Sequence, residues 1–184
     1  MTRQTSRFST ADMAYIALMA VLMSVCSWIS VPAPVPFTMQ TFAIFCALCL
    51  LGGRRGSTAV LLYILMGAVG LAVFSGMSGG LGKLLGPTGG YILGFLLSAL
   101  LYWLLEDWAG RGLLQRAAVL LLGLALCYAF GTAWFVVVYS AGRGPITVMG
   151  ALSLCVFPFL VPDGIKLALA LSLTQLLQKH VKLK

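Results

Sequence analysis

Residues 13–31, MAYIALMAVLMSVCSWISV, carry no charged side chain and end against Pro32, Pro34 and Pro36. A run this long matches the roughly 20 apolar helical residues that cross a hydrocarbon core about 30 Å thick. Proline lacks the backbone donor a helix needs, so the three prolines end the helix near Ser30 and force an extended loop. Outward from this run the pattern repeats. Apolar stretches occupy residues 37–53, closed by Gly52-Gly53-Arg54-Arg55, then 56–74, 91–105, closed by Glu106 and Asp107, and 117–139. A final helix is expected to begin at Asp163 and continue to Gln178. Residues 146–157 are apolar but short, and Pro158 and Pro162 follow closely, so they read as a short outer helix or re-entrant piece.

Composition supports the same conclusion. The chain has 184 residues, of which 61% are hydrophobic and only 9% charged, about a third of the charge usual in a soluble domain. It therefore reads as an all-α integral membrane protein of six transmembrane helices, forming one domain over residues 1–184 with no room for a separate soluble one. The net charge of +8 does not indicate nucleic acid, because the basic residues fall between apolar blocks rather than in a stripe. Cys26, Cys46, Cys49, Cys127 and Cys155 lie inside apolar segments and read as packing residues.

The placement of cations sets the orientation. Six spans with the N-terminus inside put Arg3, Arg7, Arg54, Arg55, Arg111, Arg116, Lys179, Lys182 and Lys184 in the cytoplasm and leave Lys83 and Arg143 outside. Cytoplasmic loops are enriched in Lys and Arg, so both termini are expected in the cytoplasm. The polar start of the chain lacks a signal-peptide cleavage pattern and reads as a retained cytoplasmic segment.

Residues 75–91, SGMSGGLGKLLGPTGGY, are so rich in glycine that regular helix is not expected anywhere in them. Irregular backbone at a membrane must be buried in protein or face water, so this segment reads as a lid or cavity lining.

Chemistry is concentrated in few residues. Asp163 and Lys166 stand inside the last apolar block, and an uncompensated charge at the membrane centre costs about 3 kcal/mol or more. Three positions apart, they share a helix face. They form either a self-neutralising salt bridge, with Asp163 also capping the helix, or a carboxylate acceptor and an ammonium donor for a small polar solute. Gln40, at the outer start of the second span, offers an amide donor and acceptor or merely begins a helix. Trp28, Phe37 and Tyr91 are candidate pocket walls or an interfacial aromatic belt. Other chemistries fit poorly. Gly53-Arg54-Arg55-Gly56-Ser57-Thr58 lacks the lysine and spacing of a phosphate loop, and His180 is the only histidine. No catalytic residue, metal site or cofactor is expected.

Four strings taken together resemble the BioY family: Val35-Pro36-Phe37-Thr38-Met39-Gln40-Thr41, Gly79-Gly80-Leu81-Gly82, Gly86-Pro87-Thr88-Gly89-Gly90-Tyr91, and the segment from Pro158-Phe159 to Asp163 and Lys166. The resemblance covers almost the whole chain. It implies the biotin-binding S component of an energy-coupling factor (ECF) importer, seated in a bacterial cell membrane and capturing biotin from outside. A transmembrane coupling subunit and two ATPase subunits would supply the ATP hydrolysis. A stand-alone proton-coupled vitamin carrier is the alternative. By position, Asp163 and Lys166 would bind polar groups of biotin, Gln40 and Tyr91 would line the pocket, and Gly79, Gly80, Thr88 and Gly90 would belong to the lid. The coupling subunit would meet small residues of the first helix, Ala14, Ala17 and Ala20, beside Val21. Two features depart from the family pattern: Pro162 and Gly164 flank Asp163, and Lys83 stands within the lid, as an extra anion contact or a solvated side chain.

Overall fold

The computed structural model describes residues 8–31, 35–110 and 112–180. The expectations for Arg3, Arg7, Pro32, Pro34, Arg111, Lys182 and Lys184 lie outside the described residues. Helix α1, Thr10–Trp28, opens on a capping box in which the Ser9 hydroxyl accepts from the Asp12 amide and the Asp12 carboxylate accepts from the Ser9 amide. A two-residue antiparallel ladder follows, β1 (Ser30–Val31) against β2 (Phe37–Thr38), pairing Ser30 with Thr38 and Val31 with Phe37. This small hairpin separates α1 from the next helix.

Helix α2, Gln40–Ala68, is broken at Gly52, where φ is 80° and ψ 175°. That left-handed φ favours glycine. The chain doubles back there, since a Cβ on Gly56 would lie 3.1 Å from Cα of Leu48. The turn expected at Gly52-Gly53 is therefore present, and the Glu106 carboxylate accepts from the Gly53 amide at 2.8 Å. Arg55 pairs with Asp12 at 2.8 Å, and the Arg54 guanidinium lies 4.4 Å over the Phe8 ring.

Beyond α2 the third apolar stretch stops being helical at Ala68 rather than Phe74. Gly70 turns the chain with a φ of 102°. The strand-like segment after it is stitched down by Ser27, Tyr63 and Trp28, whose side chains donate to the carbonyls of Val73, Val73 and Ala72. The glycine-rich segment is not irregular throughout. It contains α3, Leu81–Leu85, and its last glycines begin α4, Gly89–Leu104. Helix propensity is overridden here by packing: Gly90 lies so close to Trp134 that a Cβ would overlap it, and Gly94 meets Cys127. Small residues let helices approach closely, and α4 lies against α6, Leu113–Arg143, along this seam. A short α5, Glu106–Ala109, links the two.

The short apolar stretch forms α7, Val148–Cys155, started by the Thr147 hydroxyl accepting from the Gly150 amide. The last helix, α8, spans Phe157–His180 and includes Pro162, so the expected start at Asp163 is corrected by six residues. Proline's fixed φ suits a helix, and near its start the missing donor removes one hydrogen bond only. Asp163 consequently stands more than a turn inside α8 rather than at its cap.

Among the described residues four helices, α1, α2, α6 and α8, are long and apolar enough to cross a membrane, and α4 is a shorter apolar one. The chain is a multi-pass membrane protein. Cys46 and Cys49, spaced as Cys-x-x-Cys, are buried free thiols in α2, and no group of three metal-ligating side chains occurs among the described residues.

Candidate functional site

The carboxylate of Asp163 accepts three side-chain hydrogen bonds in the interior. Its Oδ1 accepts from the Thr41 hydroxyl at 2.9 Å and from Lys166 Nζ at 2.7 Å, and its Oδ2 accepts from the Tyr128 hydroxyl at 2.5 Å. Both members of the ion pair are 3% exposed. The Lys166 ammonium also donates to the Thr38 carbonyl at 2.6 Å and lies 3.9 Å from the Phe37 ring centroid. Burying two ions is tolerable only when geometry is good and the remaining groups are hydrogen-bonded, and here three elements, β2, α2 and α6, converge on α8 to do so.

Counting donors and acceptors shows what is left over. An ammonium has three donors, two of which are spent and the third of which faces an aromatic ring. A carboxylate offers about four lone-pair positions, of which three are filled. One acceptor position therefore remains, on Oδ2. Gln40 is 5% exposed, and its Nε2 has no hydrogen-bond partner among the described residues. A buried unpaired donor costs about 1–3 kcal/mol.

These groups line one partly open cavity where β2, α2, α4, α6 and α8 meet. Gln40, Thr41, Tyr91, Tyr128, Asp163 and Lys166 furnish its polar edge; Phe74, Ile92, Phe95, Leu124 and Phe159 furnish apolar walls. Tyr91 is set by α4: Gly131 on α6 makes room for its ring, and its hydroxyl pairs with Thr132 Oγ1 at 3.0 Å. Phe37 stacks on Phe159 with ring centroids 6.0 Å apart.

The structure brings together Asp163, Lys166, Gln40, Tyr91 and Thr88 at this cavity. It does not bring Gly79, Gly80 or Gly90 to the lining: Gly79 packs on the Leu71 carbonyl, Gly80 faces open space and Gly90 lies against Trp134. Trp28 is not a wall either, being 42% exposed with its indole N–H on the Ala72 carbonyl. On α1, Ala20 is fully buried in the core, whereas Ala14, Ala17 and Val21 are exposed. Ala20 thus packs inward and cannot share their outward face.

Sequence reasoning missed Tyr128 and Thr41. Thr41 ends the proline-loop string and could have been found there. Tyr128 stands mid-span, 35 positions from Asp163, and carries no local signal.

The chain is similar to known proteins along most of its length. A family model described as the BioY family matches residues 1–183. The chain is 37% identical over 168 residues to a probable biotin transporter BioY of Pyrococcus horikoshii, covering 91% of this chain and 96% of that one. It is 37% identical over 163 residues to the biotin transporter BioY of Thermotoga maritima, covering 88% and 92%. A crystal structure of the S-component for biotin from an ECF-type ABC transporter superposes with a TM-score of 0.80 at 25% identity, covering 97% of this chain and 95% of that one.

Proposed function

The chain belongs to the BioY family, and from that premise we propose that it is the biotin-binding S component of an ECF importer, not an enzyme. It captures biotin on the extracellular side, and ATP hydrolysis falls to partner subunits. The observation that carries this reading is that one cavity holds both a buried Gln40 donor and an Asp163 acceptor position for which the described residues supply no partner. A cyclic urea presents a carbonyl flanked by two N–H groups. Its carbonyl satisfies the Gln40 amide while one N–H fills Asp163 Oδ2. Lys166 pairs with Asp163 at 2.7 Å and fixes its direction. The apolar walls accept the thioether and the aliphatic chain.

In this reading the chain crosses the cell membrane six times, through α1, the two limbs of α2, α4, α6 and α8. The end carrying Arg54, Arg55 and Arg116 is cytoplasmic, as are both termini, so the cavity opens outward. The exposed face of α1, with Ala14, Ala17 and Val21, meets the transmembrane coupling subunit, to which two ATPase subunits attach. Biotin is cargo rather than cofactor.

Equilibrium binding of radiolabelled biotin to the detergent-purified chain tests the reading. Saturable binding that excess thiamine or riboflavin does not displace supports it, and absence of saturable binding overturns it. Uptake into liposomes by the chain alone, without ATPase subunits, would instead identify a stand-alone proton-coupled carrier.

A further inference from the structure

The cavity as described has no charge to spare. Asp163 and Lys166 neutralise each other at 2.7 Å, so the carboxylate of a biotin molecule would enter a compartment without a compensating cation. A second, more open recess adjoins the first, and Thr88 lines both. Lys83 lines this outer chamber, is half-buried, and has no ion-pair partner among the described residues.

The chamber is built rather than incidental. Phe135 and Tyr139 form one wall, stacked with ring centroids 5.1 Å apart and planes 24° from parallel. Such a wall suits a run of methylenes. The turn after α3 is fastened to α6 by the Trp134 indole, which donates to the Gly86 carbonyl at 3.0 Å. That bond holds the segment bearing Lys83 against the aromatic wall. Between the cavity and the recess, the Thr88 hydroxyl makes no capping bond to α4.

Resting on the reading of the inner cavity as the ureido site, we propose that the outer chamber is the carboxylate subsite: the aliphatic chain passes Thr88 along Phe135 and Tyr139, and the Lys83 ammonium binds the terminal carboxylate. Lys83 then sets specificity for an anionic tail, while Asp163 and Gln40 set specificity for the ring.

The test compares biotin with its neutral primary amide, biotinamide, on the detergent-purified full chain, in the wild type, Lys83→Gln and Lys83→Arg. A half-buried charge-assisted bond should favour biotin by about five- to tenfold. Lys83→Gln should weaken biotin by that factor and leave the amide unchanged, so that the two ligands bind alike; Lys83→Arg should keep most of the preference. Unchanged affinity of the amide also reports that the variant is folded. An unaltered ratio of the two affinities in Lys83→Gln, or an equal loss for both, overturns the subsite while leaving the ureido site intact. Failure of the wild type to bind either ligand overturns both readings.

Discussion

The Tyr128 hydroxyl donates to Oδ2 of Asp163 at 2.5 Å and so ties the middle of α6 to α8. On the other oxygen Thr41 does the same for α2. The carboxylate is therefore a junction of three helices as well as a candidate ligand group, and variants must be chosen to separate the two roles.

Tyr128→Phe should destabilise the ligand-free protein by about 1.5–3 kcal/mol, the usual worth of a hydrogen bond to a charged group. It frees a second acceptor position on Oδ2 and leaves the ring in place. Thermal unfolding in detergent measures the effect, and an unshifted transition would show that this bond contributes nothing.

Asp163→Asn leaves the Lys166 ammonium buried without its counter-ion, a loss of about 3–5 kcal/mol. Replacing both, as Asp163→Asn with Lys166→Met, should recover much of that stability, because an uncharged pair needs no counter-ion. Biotin binding should stay abolished in the double variant. Denaturation and binding measured on the same preparations check this, and recovered binding would reduce the pair to a structural bridge.

Gln40→Leu behaves in the opposite sense. It removes a buried donor that has no hydrogen-bond partner among the described residues, so the ligand-free protein should gain about 1 kcal/mol. Biotin affinity should fall about tenfold or more, since the ureido carbonyl loses its donor. Stability and affinity moving together in this variant would contradict the assignment.

At the other end of the bundle, Gly52→Ala meets a φ of 80° and a Glu106 Oε1 only 2.5 Å from the new Cβ. A destabilisation of about 1–3 kcal/mol is expected from the strained backbone. Molecules that remain folded should bind biotin with unchanged affinity, because nothing at Gly52 touches the cavity.

How much of this was legible in the sequence depends on the kind of signal. Uncharged runs and their glycine and proline stops are local, so the turn at Gly52 and the end of α1 were readable. Asp163 and Lys166 stood out because charges in an apolar block are costly wherever they fold. What stayed hidden was long-range. Pro162 marks a break in a linear reading, yet α8 runs through it because near the helix start its missing donor removes one hydrogen bond only. The glycines at 89 and 90 oppose helix in isolation, yet they are the positions where α4 closes on Leu84 and Trp134. Tyr128 has no sequence neighbour that marks it, and its role exists only once α6 meets α8.

The most direct measurement of the central claim is calorimetric titration of the wild type with three ligands that differ at the ring. Biotin and desthiobiotin both keep the ureido carbonyl and its N–H groups; 2-iminobiotin replaces the carbonyl oxygen with a protonatable nitrogen that presents a donor to the Gln40 amide. The account predicts saturable one-to-one binding of the first two and loss of affinity by about a hundredfold or more for the third, a donor facing a donor in a buried site. Equal affinity for 2-iminobiotin and biotin would contradict it.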